Sequence, residues 1–141
     1  MTYSPVSKNY HPDLIVEEAK NGWRIVRLNR PKSLHALDET IVSALFEVFQ
    51  DFHSDDAVKA IWLESTTPKA FCAGGDVRKL RQLVINDEVE TANQFFEQEY
   101  ALDLLLHNYA KPVLVWGEGY VMGGGLGLFM AAPFRLVTIR M

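Results

Sequence analysis

The apolar positions of this chain switch between a strand period and a helix period. Leu14–Glu18 and Trp23–Leu28 are short runs rich in β-branched and aromatic residues, set on either side of Asn21-Gly22. Two such runs around Asn-Gly predict a β-hairpin. Asn29-Arg30-Pro31-Lys32 ends the second run, because proline fixes φ and removes a ladder donor. The period then becomes helical: Ile41, Leu45, Phe49 and Phe52 follow at spacings of four, four and three, with Asp38 placed as the cap. Residues 60–63 predict a third strand and residues 66–75 a loop. Asp76 is placed to cap a helix through Val77 and Leu80 toward Leu83. A longer helix is predicted from Asp87 to about Tyr109, stopped by Lys111-Pro112. Residues 112–116 predict a buried strand and residues 134–139 a last strand. Six of the nine glycines lie between these two strands, from Gly117 to Gly127, and Leu126, Leu128, Phe129, Met130 and Ala131 predict a buried helix there.

Strands alternating with helices predict an α/β fold with parallel strands. In such sheets, ligands bind at the carboxyl ends of strands, where strand-to-helix loops emerge. Gly74-Gly75 and Gly123-Gly124-Gly125 are both in loops of this kind. A glycine turn running into a helix start exposes bare backbone N–H groups in positive potential. The pair of loops therefore predicts an oxyanion hole, with one donor from the Gly75 region and one from the Gly124 region. Close helix–strand packing is the alternative use of the three consecutive glycines.

Glu99 stands out on the long helix. Ala92, Phe95, Glu99, Leu102, Leu106 and Tyr109 share one face. A carboxylate in the middle of an apolar stripe needs a partner and has a raised pKa. Glu99 is either a functional group or a structural glutamate bonded to nearby backbone.

Composition narrows the function classes. The chain has 141 residues, a net charge of −4 and no basic stripe, which argues against nucleic acid as a partner. Its single cysteine, Cys72, rules out an internal disulfide and reads as a small buried residue in a reducing, cytoplasmic setting. Residues 113–137 are apolar, but Glu118, Arg135, Pro133 and the glycines argue against a membrane span. His11, His35, His53 and His107 have no ligand-like spacing, so no metal site is expected. Trp23, Trp62 and Trp116 are expected in the core. Residues 1–12 read as a flexible leader and residues 13–141 as part of one domain.

Three motifs carry a resemblance. Asn29-Arg30-Pro31-Lys32-Ser33-Leu34, Ala70-Phe71-Cys72-Ala73-Gly74-Gly75-Asp76, and the stretch from Gly119 to Gly125 occur in the order found in the crotonase superfamily, the enoyl-CoA hydratase/isomerase family. The match runs from about Leu14 to the end. Ala73-Gly74-Gly75-Asp76 and Met122 to Leu128 most resemble the 3-hydroxyisobutyryl-CoA hydrolase branch of valine catabolism. The resemblance implies an α/β spiral of β-β-α units and an acyl-CoA thioester substrate. Coenzyme A is part of that substrate, so no separate cofactor is expected.

By resemblance, Gly75 and Gly124 donate the two oxyanion N–H groups, with Gly74 and Gly123 beside them. Backbone around Ala70, Ala73 and Asp76 holds the coenzyme, Lys32 lies near its phosphates, and Glu99 contacts the substrate. Enoyl-CoA hydratases resemble this chain but carry a glutamate two residues after the triplet, where Gly127 stands here; the hydrolase branch also lacks it. That branch has its catalytic Glu and Asp in sequence beyond position 141, so the chain reads as the N-terminal part of a crotonase-like domain, truncated at its C-terminus. Leu114, Trp116, Leu128, Phe129 and Leu136 are then expected to be partly uncovered, which favours a homo-oligomer or other association. The readings left beside hydrolysis are hydratase or isomerase activity, a non-catalytic acyl-CoA-binding chain, and a dinucleotide-binding fold. The last would require an acidic residue about 20 positions beyond Gly117, and no Asp or Glu follows Glu118.

Overall fold

The computed structural model describes residues 2–138. Residues Leu14–Glu18 (β2) and Trp23–Leu28 (β3) form the predicted hairpin, with Leu14 opposite Leu28 and Glu18 opposite Arg24. Gly22 takes a positive φ of 88° in the connecting turn, a conformation glycine adopts without strain. Within the first twelve residues, Ser4–Pro5 (β1) pairs antiparallel with β2, and Val6 and Tyr10 pack on the core.

The chain then climbs in β-β-α units. The hairpin leads to α1 (Glu39–Ser54); β4 (Ala60–Ser65) and β5 (Ala70–Cys72) lead to α2 (Val77–Ile85) and α3 (Val89–His107); β6 (Val113–Gly117) and β7 (Tyr120–Val121) lead to α4 (Gly124–Ala131), and β8 (Phe134–Val137) follows. The main sheet has the order β1-β2-β3-β4-β6-β8, parallel from β3 onward, and β5 and β7 form a separate parallel pair.

Local chemistry explains most boundaries. The Asp38 carboxylate accepts from the Ile41 N–H at 2.9 Å and starts α1; Asp76 does the same for Lys79 at the start of α2. Two boundaries differ from expectation. Residues 70–72, predicted as loop, form β5 because β7 offers a parallel partner far along the chain. Asp87 does not begin α3: it takes a positive φ of 60°, and the helix starts after Glu88 without a side-chain cap. The last strand is described as far as Val137; Ile139, which was predicted to end it, lies outside the described residues.

Alternation along the strands splits the main sheet into two faces. Val26, Leu28, Ile61, Leu63, Val113 and Val115 point inward against Ile41, Leu45, Phe49 and Phe52 of α1 and Leu102 and Leu106 of α3. Fully burying such side chains is worth about 1.5–3 kcal/mol each. The opposite face carries Trp23, Trp62 and Trp116. These tryptophans are half-buried rather than in the core, since they occupy the alternate positions of the same strands. Trp62 stacks on Trp116 with ring centres 6.2 Å apart, and Leu136 and Phe134 continue the patch, exposed. Arg27, paired with Glu17 and Glu64, adds a polar cluster to this face. Leu114 is also half-buried, but Leu128 and Phe129 are buried, contrary to expectation. α4 turns them toward the core and leaves Leu126 and Met130, which were expected inside, 46% and 53% exposed.

Candidate active-site cleft

The short pair β5 and β7 brings the two glycine loops together. Ala70 stands opposite Tyr120 and Cys72 opposite Val121, and the Met122 N–H donates to the Cys72 carbonyl at 3.1 Å. The loops that leave these strands therefore start side by side. Gly74 has a φ of 100° and Gly123 a φ of 54°. A Cβ built on Gly74 would stand 2.8 Å from the Met122 oxygen and 3.2 Å from the Gly124 nitrogen. Only bare backbone fits there.

The surrounding amides are used. The Ala73 N–H donates to the Leu34 oxygen at 3.0 Å, the Asp76 N–H to the Leu37 oxygen at 2.7 Å, and the Gly125 N–H to the Met122 oxygen at 2.9 Å. Leu37 bridges to Gly75, its own N–H donating to the Gly74 oxygen at 2.7 Å and its oxygen accepting from Asp76. Among the described residues, no hydrogen bond engages the N–H of Gly75 or Gly124. The second of these is the first residue of α4, where N–H groups lack helical acceptors and the dipole is positive.

Glu99 closes one wall. It is 7% exposed, and a Cβ built on Gly124 would overlap its Oε1. Burial raises its pKa. Phe95, one turn earlier, packs against Gly75. The helix phase read from the sequence thus places Glu99 at Gly124 and Phe95 at Gly75.

A second cleft of about 380 Å³ opens beside the first, lined by Arg30, Lys32, Leu34, Asp76, Arg78 and Lys79 among others. Arg30 is paired with Asp76 at 2.9 Å and Lys79 with Asp38 at 2.7 Å. Lys32 and Arg78 make no ion pair among the described residues, so their charge faces the cleft uncompensated. Asp76 joins the two clefts: its N–H is held by Leu37 and its carboxylate caps α2. Ala70 is fully buried in β5, with Ala73 half-buried at the start of the loop.

Two other groups are structural. Burial pushes the Cys72 thiol up to about 12. His35 is 1% exposed, and its Nδ1 accepts from the Arg30 N–H at 3.0 Å. Its Nε2 therefore carries the proton toward Thr67 Oγ1, 2.8 Å away, and burial lowers its pKa. The ring pins the loop that carries Lys32. Among the described residues, no group of three or more His, Cys, Asp or Glu side chains could hold a metal ion, and no helix is long and apolar enough to cross a membrane.

Sequence reasoning missed Asp103. It lies one turn beyond Glu99, and its Oδ2 is 3.0 Å from the place a Cβ on Gly127 would take. Burial raises its pKa, and the Glu99 charge adds to this, bringing it up to about 6. The i, i+4 spacing from Glu99 was the available signal.

This fold, with glycine loops meeting at strand ends beside a basic cleft, defines the class of the chain. Residues 23–141 match the family profile "Enoyl-CoA hydratase/isomerase", and the chain belongs to that family, the crotonase superfamily. It is 36% identical over 124 residues to 3-hydroxyisobutyryl-CoA hydrolase 1 of Arabidopsis thaliana, which covers 88% of this chain and 32% of the relative. It is 34% identical over 124 residues to small ribosomal subunit protein mS47 of Schizosaccharomyces pombe, covering 88% of this chain and 29% of the relative. Among solved structures, a carnitinyl-CoA dehydratase from Mycobacterium thermoresistibile superposes with a TM-score of 0.84 at 31% identity, covering 90% of this chain and 37% of the other. An enoyl-CoA hydratase from Rhodobacter sphaeroides superposes with a TM-score of 0.83 at 27% identity, covering 89% and 37%. The chain thus spans about a third of the length of these relatives.

Proposed function

We propose that this chain forms the coenzyme-binding and oxyanion-stabilising part of an acyl-CoA thioester hydrolase acting on a short branched acyl group, as 3-hydroxyisobutyryl-CoA hydrolases do by name. One observation carries the reading: two glycine loops, separated by about fifty residues of sequence, meet at backbone contact with the amides of Gly75 and Gly124 left open. In hydrolysis, water adds to the thioester carbonyl, the carbonyl oxygen becomes an anion, and the thiol of coenzyme A leaves as the C–S bond breaks. Two fixed N–H donors at that oxygen are worth roughly 3–4 kcal/mol each. Lys32, with backbone around Ala70, Ala73, Gly74, Asp76 and Gly123, would hold the coenzyme. Glu99 would contact the acyl group.

The deciding experiment is a thiol-release assay on the purified chain with 3-hydroxyisobutyryl-CoA and crotonyl-CoA, run beside calorimetric binding. Binding of both thioesters with negligible turnover is expected for residues 1–141 alone. Turnover on the order of 1–10³ per second would show that the chain supplies its own base, and no binding would overturn the reading.

A non-catalytic assembly role is the second reading. The similarity to a small ribosomal subunit protein and the uncovered aromatic sheet face favour it. Stable capture of a partner on that face, with no thioester binding, would support it over the first.

A further inference from the structure

Asp103 is the side chain with the least account in the cleft. Its Oδ1 is buried and has no hydrogen-bond partner, and a buried polar atom without one costs free energy. It projects from α3 on the same face as Glu99. The surface that receives both is the side-chain-free stripe of α4: Glu99 lies over Gly124 and Asp103 over Gly127. The missing side chains at these two positions leave room for two carboxylates rather than one.

Among the described residues, no cation from a packed element is paired with either carboxylate. α4 carries no ionisable residue. From β5, Cys72 packs against Gly125 and is a neutral thiol near Glu99. On α1, Glu47 and Asp51 are engaged with Lys8, and His53 sits against Tyr109. On α2, Lys79 is engaged with Asp38, and Arg78 and Arg81 are exposed. His107, one turn on along α3, is exposed. Among the described residues, the Glu99 charge acts on Asp103 and adds to the effect of burial. Two like charges at one site titrate as a unit.

We propose that Glu99 and Asp103, one turn apart over the glycine stripe of α4, form a carboxylate pair whose titrations are coupled, with Asp103 as a positioning residue behind Glu99. Its bearing on thioester binding rests on the acyl-CoA reading given above; the pair itself does not.

The test is a carboxyl-carbon NMR titration of the whole chain, as wild type, Glu99→Gln and Asp103→Asn. Both substitutions are near-isosteric, and each alone can carry the result if the other fails to fold. In the wild type, Asp103 titrates near its raised value of about 6 and Glu99 responds in two steps. Glu99→Gln lowers the Asp103 midpoint toward the ordinary aspartate range. Asp103→Asn reduces Glu99 to one step and moves the pH midpoint of 3-hydroxyisobutyryl-CoA binding downward, which a merely structural aspartate would not do. Ordinary, independent titration of the two groups would overturn the proposal. Coupled titration with no thioester binding at any pH would support the pair and overturn the acyl-CoA reading.

Discussion

The Glu99 carboxylate occupies the space that a side chain on Gly124 would fill. The atom in the way is the tip of a flexible side chain, so Gly124→Ala is predicted to fold normally and to push Glu99 aside. The expected result is an unchanged far-UV spectrum with thioester binding weakened by about tenfold, near 1.4 kcal/mol, read by calorimetry. Gly124→Pro removes the N–H itself and is expected to cost any thioester turnover of the complete enzyme about 10²–10³.

Gly125 is predicted to behave in the opposite way. A Cβ there would overlap the Cys72 carbonyl oxygen, which is backbone of β5 and cannot swing away. Gly125→Ala is expected to destabilise the fold by about 1–3 kcal/mol, the usual range for overpacking, read as a lower denaturant midpoint. Equal stability for Gly124→Ala and Gly125→Ala would contradict the placement of α4.

Asp38 predicts an acid-sensitive fold. Burial pushes its pKa up, but the Lys79 ammonium, the Ile41 N–H and the Thr40 hydroxyl together outweigh burial and hold it down to about 2. A depressed folded-state pKa contributes stability that is fully present above the ordinary aspartate value and lost as the pH falls toward 2. Asp38→Asn should flatten the stability profile in that acid window and cost about 1 kcal/mol or more at neutral pH through the weakened cap. The measurement is denaturant unfolding at a series of pH values, and parallel profiles for the two proteins would refute the assignment.

The outer sheet face predicts association. Trp62, Trp116, Phe134 and Leu136 form one patch beside a cavity of about 380 Å³ that Tyr3, Trp23 and Trp62 help to line. Exposed patches of this kind mark interaction surfaces. The chain is expected to self-associate at micromolar concentration, and Phe134→Lys with Leu136→Lys to shift it toward monomer in sedimentation velocity. A monomeric wild type would remove the prediction.

Much of this was legible in the sequence, for local reasons. The hairpin at Asn21-Gly22, the caps at Asp38 and Asp76, and the phase of α3 that buries Glu99 all follow from spacings within a few residues. The failures are non-local. β5 exists only because β7 pairs with it from about fifty residues away. The tryptophans were placed inside because their strands are apolar, but alternation sends them to the opposite face. Leu126 and Met130 looked buried because every residue of α4 is apolar or glycine, which hides its amphipathic phase. Asp103 was missed because its partner is a missing side chain, at Gly127, on another helix.

The pairing of β5 with β7 also has a kinetic consequence. Two-residue and three-residue strands have little stability of their own, and closing so long a loop costs entropy before any contact repays it. The hairpin and α1 draw on contacts near in sequence and can form early. The glycine loops align only where β5 meets β7, so the cleft is expected to take shape late and to open early. In hydrogen exchange, the amides of Cys72 and Met122 should lose protection well before those of Val26 and Leu45.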